Sequence, residues 1–288
     1  MKDIPTSPRI ALIKRNRRVG RLRLLIFFVL LLILIIGAVS YFSSNSKVTI
    51  NNIIITGNSI IDAEELDSSI KNKLEGKYLN LFARSNFLIY PHKKIYNNLM
   101  KEFPRIENLS LKREGFNTLR VEIVERAGSY LYCGLDLPEK KEEIGENCYF
   151  VNNSGYIFDK APYFSGNIYF KYYTKIEGDA SNPLGSIMIE PVRFHELVRF
   201  VDGIISLGFK PAYIVISSNG IHSLYLKSAG NNPNPKIIFK EDNTLPVILE
   251  NLSTAMSEKE FANEINSKYD TLSYIDLRFK NKVLYKFQ

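Results

Sequence analysis

The side chains that most readily do chemistry are sparse in this chain of 288 residues. Its three histidines, His92, His195 and His222, are far apart in sequence. None stands with a second histidine at the i, i+4 spacing that lets one helix face hold a metal ion. His195 follows Phe194 in an apolar-striped segment and reads as a boundary residue rather than a ligand. No glycine-rich phosphate loop, dinucleotide turn or nucleophile elbow is present. The adjacent carboxylates Glu64 and Glu65, and Glu142 and Glu143, lie in polar stretches where they make a solvated charged face. No catalytic residue, cofactor-binding residue or metal ligand is therefore assigned. No cofactor or small-molecule substrate is expected, and the chain reads as a non-enzyme. An active site assembled only by the fold would leave no linear signature, so an anchored hydrolase stays as a distant alternative.

The remaining reactive residues are two cysteines, Cys133 and Cys148. Their spacing is not that of a metal site, and no histidine neighbours them. An even cysteine count in an oxidising compartment permits a disulfide, and closing this loop would contribute about 3 kcal/mol in the chain-entropy picture. The alternative is two reduced thiols packed as small apolar groups.

Whether that compartment applies depends on the first 42 residues. The formal net charge is +8, but residues 1–23 hold eight basic side chains against the single acid Asp3. The rest of the chain, with 30 basic and 29 acidic residues, is nearly neutral. A neutral body argues against nucleic-acid binding. Residues 24–42, LLIFFVLLLILIIGAVSYF, carry no charge. As a helix they span about 28 Å, close to the hydrocarbon thickness of a bilayer. The basic tail then marks the cytoplasmic side, and everything after residue 43 lies outside. A cleaved signal peptide is the rival reading, with Ala38-Val39-Ser40 as small residues near a cleavage point. The apolar run is longer than a typical signal core, which favours an anchor.

Beyond a polar linker at 43–47, the pattern is compact. Residues 48–56 read as a strand closed by the turn Gly57-Asn58. Residues 60–74 read as a helix capped by Asp62, with Leu66, Ile70 and Leu74 on one face. A second helix is predicted at 92–102, then strands at 106–113 and 118–125 joined by a hairpin turn at 114–117. The order is β-α-α-β-β. After residue 126, short strands are predicted at 130–134, 148–151 and 156–158. Cys133 and Cys148 would lie on neighbouring strands and staple a charged insertion at 135–147. An amphipathic helix at 190–208 opens with Pro191 and carries Phe194, Leu197, Val198, Val201 and Ile205 as its stripe. Strands follow at 212–217, 221–226 and 236–239, then a second amphipathic helix at 245–256, then strands at 272–279 and 283–287.

Several of these segments resemble the FtsQ/DivIB family of bacterial cell-division proteins. Ile53-Ile54-Ile55-Thr56-Gly57-Asn58 is similar to its opening V-x-G-N. Pro104-Arg105-Ile106 and Val121-Glu122-Ile123-Val124-Glu125-Arg126 are similar to its P-x-V … V-x-V-x-E-R. Residues 149–158, YFVNNSGYIF, are similar to its hairpin with D/N-x-x-G. Tyr274-Ile275-Asp276-Leu277-Arg278-Phe279 resembles its terminal Y-I-D-L-R-Y strand. Departures are Gly128 in place of a proline, the insertion at 135–147, the Asn/Pro-rich segment 230–235, and Phe287 where an aromatic Trp is usual.

The resemblance implies an α+β fold: a cytoplasmic tail (1–23), a transmembrane helix (24–42), a linker and POTRA domain (43–126), and a β-rich domain with two amphipathic helices (127–288). It also implies a single-pass protein of the cell membrane, at the division septum. There it would be a scaffold binding FtsB/FtsL-like membrane-anchored partners outside the cytoplasm. The partner would add along the edge of the last strands, at Phe279, Asn281, Val283, Tyr285 and Phe287. An exposed strand edge offers unpaired backbone groups for such an addition. POTRA modules also serve envelope transport and secretion, which is the other reading the resemblance leaves open.

Overall fold

The first strongly patterned segment forms one long helix, α1 (Pro8–Ser43), which runs through the basic tail as well as the apolar run. Within it, Gly20–Ser43 is long and apolar enough to cross a membrane, and its leucines and isoleucines stand exposed. The structure, a computed structural model, describes residues 8–138, 146–164, 168–228, 233–240, 244–280 and 282–288. Asn281, the centre of the 135–147 insertion and part of the 230–235 segment lie outside these residues. The chain divides into two units, residues 1–125 and 126–288.

After α1, the first unit contains β1 (Asn52–Thr56), α2 (Ala63–Leu74), a short hairpin of β2 (Lys77–Tyr78) and β3 (Phe82–Ala83), α3 (His92–Glu102), β4 (Ile106–Glu114) and β5 (Thr118–Glu125). The sheet order is β1-β5-β4. β1 runs parallel to β5, with Ile55 opposite Val121, and β4 pairs antiparallel to β5. Period-two alternation sends Leu119, Val121 and Ile123 of β5 into the core. There they meet Leu66 and Ile70 of α2 and Ile95 and Leu99 of α3. Each such side chain removed from water contributes about 1.5–3 kcal/mol as an upper estimate. Between the helices, the Glu102 carboxylate accepts from Ser69 Oγ (2.7 Å) and Asn98 Nδ2 (2.6 Å).

This unit corrects the predicted helix start. α2 begins at Ala63 rather than at residue 60, with Asp62 Oδ1 accepting from Glu64 N at 2.9 Å. The N–H groups of Ser59, Ile60 and Ile61 donate instead to the Glu125 carboxylate, at 2.6, 2.9 and 3.0 Å, so this stretch is a turn. The β2–β3 hairpin was also not anticipated.

The second unit is built on a nine-stranded sheet. Its strands are β6 (Tyr130–Tyr132), β7 (Tyr149–Val151), β8 (Ile157–Lys160), β9 (Phe170–Thr174), β10 (Pro211–Ile216), β11 (Ile221–Leu226), β12 (Lys236–Lys240), β13 (Leu272–Phe279) and β14 (Lys282–Phe287). The order is β14-β13-β12-β11-β10-β9-β6-β7-β8. Parallel pairs need crossover connections. Helix α4 (Pro191–Ser206) crosses from β9 to its parallel neighbour β10, and α5 (Leu245–Ser257) with α6 (Lys259–Ser267) crosses from β12 to parallel β13. α4 and α5 meet at Gly203, where a Cβ would lie 2.2 Å from Leu249 Cδ2. The core beneath them gathers Tyr172, Phe194, Phe200, Ile214, Phe239, Ile248 and Ile275.

The α+β class and the two-part layout are as the sequence predicts. Three details differ among the described residues. Strand β9 and helix α6 are additional, so this unit has three α-helices rather than two. The stripe of α4 is turned: Phe200 and Ile204 are buried, while Ile205 is exposed. Glu190, predicted to open the helix, is instead its cap, its side chain accepting from Arg193 N, while Pro191 stands in the first turn as predicted.

Candidate docking edge

β14 is the end strand of the sheet. It pairs antiparallel with β13, Ile275 opposite Tyr285 and Asp276 opposite Leu284. Its other edge has no strand neighbour among the described residues. β13 itself is well anchored: Ile275 and Leu277 are core residues. Asp276, on the opposite face, is 4 % exposed and accepts from Arg278 Nε (2.9 Å) and Nη2 (2.6 Å) as well as Arg278 N. Burial pushes the Asp276 carboxyl up, but the Arg278 hydrogen bonds outweigh it, and with Lys240 nearby the net shift is downward. The D-L-R step is thus a built-in ion pair that keeps a charge in the sheet.

The side chains named from sequence divide into two groups. Phe279, at the end of β13, is 49 % exposed. Val283 and Phe287 are partly buried and pack on the large core. Tyr285 donates its hydroxyl to Glu264 Oε2 of α6 (2.6 Å), and its ring lies 5.2 Å from Phe261. That hydrogen bond raises the Tyr285 hydroxyl and, with Lys268, lowers the Glu264 carboxyl. Lys268 completes the group at 5.3 Å from the Phe287 ring. So Val283, Tyr285 and Phe287 hold β14 to the helical layer. Asn251 Nδ2 of α5 donates to Lys280 O (2.7 Å) and ties down the preceding turn. Leu284, between these positions, is 46 % exposed. It was not singled out from sequence, although period-two alternation places it opposite Val283 and Tyr285. The edge therefore presents a backbone ladder with no described strand beside it, flanked by the exposed apolar side chains Phe279 and Leu284.

Elsewhere, among the described residues, the groups that could do chemistry do not converge. His222 is buried against Phe239, 5.3 Å between rings. His195 is exposed, with Nδ1 2.6 Å from Pro191 O, and His92 stands beside Tyr90 in the first unit. Among the described residues no group of three or more His, Cys, Asp or Glu side chains could hold a metal ion. A cleft of about 590 Å³ at the start of α4 is lined by Thr174, Lys175, Glu177, Glu190, Arg193 and His222 among others. Of the lining groups, Glu190 serves as the helix cap, and Arg193 pairs with Glu196 at 3.1 Å. Cys133 and Cys148 are joined, with Cα atoms 4.2 Å apart. They sit at the ends of β6 and β7, next to the directly paired Tyr132 and Tyr149.

The first unit gives the motif residues their physical roles. Gly57 has φ +86°, and a Cβ there would fall 2.0 Å from Ile123 O. Only glycine lets the turn approach β5 so closely. Glu125 then closes the turn and lies 4.0 Å from Arg105. Burial raises its carboxyl, but the three backbone donors and Arg105 bring it net below the ordinary carboxylate range. The G-N turn, Arg105 of the P-R-I step and Glu125 of the E-R step are thus one cluster in space.

A helix-backed β-α-α-β-β sheet of this kind defines a POTRA module. Residues 48–126 match the family model of the POTRA domain, FtsQ-type. These residues form an FtsQ-type POTRA domain, so over this stretch the chain is FtsQ/DivIB-like, and the domain supports a division-related scaffold role. No curated protein matches the chain.

Proposed function

We propose that this protein is a non-enzymatic, membrane-anchored scaffold of the bacterial division machinery. In this reading α1 crosses the cell membrane once, the basic tail lies in the cytoplasm, and both folded units lie outside it. The scaffold assembles at the septum by binding FtsB/FtsL-like membrane-anchored partners. The observation that carries the docking part is the edge of β14, unpaired by any other described strand and flanked by exposed Phe279 and Leu284. A partner segment adding as a tenth strand would satisfy the edge N–H and C=O groups and bury these two side chains. The FtsQ-type POTRA domain supports the division context.

The test is affinity purification of the full chain from detergent-solubilised membranes. Recovery of FtsB/FtsL-like coiled-coil proteins with the natural chain, and their loss with Phe279→Glu while the outer units stay folded, is the expected outcome. No such partners, together with normal septation after depletion, would refute the scaffold reading. Unchanged recovery with Phe279→Glu would refute the placement of the edge.

A further inference from the structure

The first unit carries exposed apolar side chains outside its core. The end of α1 does not lead into a free tether; it is bonded to the β2–β3 hairpin and the turn after it. Ser40 Oγ donates to Leu81 O (2.6 Å), Ser43 Oγ accepts from Ala83 N (3.2 Å), and Ser43 O accepts from Asn86 Nδ2 (3.2 Å). Ser43 and Asn86 are both buried. These bonds fix the hairpin at the height of the helix end. The uncharged run ends at Phe42, and at 1.5 Å per residue Ser40 lies about 3 Å inside that point. The hairpin is therefore held where hydrocarbon gives way to headgroups.

What the chain presents at that height is apolar. Leu79 is 87 % exposed and Leu88 66 % exposed. Leu79 has φ +50° and Asn80 φ +59° at the hairpin tip, a conformation that asparagine adopts readily and leucine rarely. Ile89 is also exposed. Between α1 and this region runs a groove of about 440 Å³, lined by Val39, Phe42, Phe82, Phe87, Leu88 and Ile89 among others. Lys47 lines it too, exposed Lys77 precedes the hairpin tip, and Arg84 stands over Tyr78 on the hairpin. Apolar side chains rimmed by cations are the pattern of a surface seated in an interface with phosphates above it.

We propose that this face is immersed in the bilayer interface, with lipid filling the groove. The POTRA unit then rides on the membrane surface. This rests on the reading of α1 as a membrane anchor, and one experiment separates the two. The chain has no tryptophan, so a single introduced Trp is a clean reporter. Leu79→Trp, Leu88→Trp, Leu31→Trp in α1 and Val124→Trp near the far end of β5 are made in the full chain. Each is reconstituted into phosphatidylethanolamine/phosphatidylglycerol vesicles with and without acyl-brominated lipid. Leu79→Trp and Leu88→Trp should emit at shorter wavelength than Val124→Trp and be quenched severalfold more by bromolipid. Quenching at Leu31→Trp without quenching at Leu79→Trp and Leu88→Trp would overturn the immersion and leave the anchor standing. Blue-shifted emission at both leucine sites without bromolipid quenching would mean that protein, such as a second copy, covers the face, and would also overturn it. Absence of quenching at all four sites would overturn the anchor and the immersion together.

Discussion

Glu125 shows how one carboxylate can organise a domain. It ends β5, yet its three donors belong to a turn more than sixty residues earlier. Replacing it by glutamine removes the charge from three strong acceptor bonds, and the POTRA unit should lose about 1–3 kcal/mol of stability by denaturant titration. The pH dependence follows from its depressed folded pKa. The stability it contributes is present above the unfolded carboxylate value, about 4.3, and is lost as pH falls through the lower folded value. Melting of the natural protein should therefore weaken more steeply than that of Glu125→Gln below about pH 4.5. Gly57→Ala faces both a positive φ and the Ile123 carbonyl, and should cost well over about 1 kcal/mol by the same titration. Another motif residue has an equally local role. Asn152 Oδ1 accepts from Ser154 N, Ser154 Oγ and Tyr156 N, so the D/N-x-x-G hairpin is held by one side chain with Gly155 at φ +80°. Gly128 replaces the family proline where a Cβ would meet the Phe150 ring at 2.4 Å. The motif letters were legible in sequence; their meeting in one cluster was not, because long-range pairing leaves no local spacing.

At the scale of elements, legibility followed periodicity. α3 and β5 appear at the bounds that their patterns predict, since each has one wet face and one dry face. β9 escaped because it lies between β6 and β10 and is buried at four of its five positions, including Lys171. Such a strand shows no alternation. Burial, and then Lys227, lowers the Lys171 ammonium. α6 escaped because only Ile265 of its nine residues is fully buried. The stapled β6–β7 pair carries a prediction. Reducing Cys133–Cys148 releases a loop of sequence separation 15, worth about 3 kcal/mol in the chain-entropy picture. The thermal midpoint of the second unit should drop on adding reductant, and mass spectrometry before and after should report the gain of two hydrogen atoms. At the docking edge, Leu284→Glu should weaken partner recovery as Phe279→Glu does. Tyr285→Phe, which loses only the bond to Glu264, should leave recovery largely intact.

At the scale of the whole molecule, charge is segregated: nearly all of the +8 belongs to the first 23 residues. In the proposed topology this basicity serves orientation across a membrane rather than a partner. Replacing Arg15, Arg17, Arg18, Arg21 and Arg23 with glutamate should lower the fraction of chains with the folded units outside. A C-terminal alkaline phosphatase fusion, active only outside the cytoplasm, reads this directly.

The end strand of the nine-stranded sheet has a further consequence, one of supply. If β14 takes up a partner strand as proposed, the same unpaired groups also suit its own twin, β14 against β14, in an antiparallel continuation across two molecules. Lys282 and Lys286 flank Leu284 along that strand, and between two copies they would bring like charges together. The repulsion is screened by salt, so choosing a partner over a twin becomes a matter of ionic strength and stoichiometry. A cell making this protein in excess of its partners would tip that competition toward self-pairing.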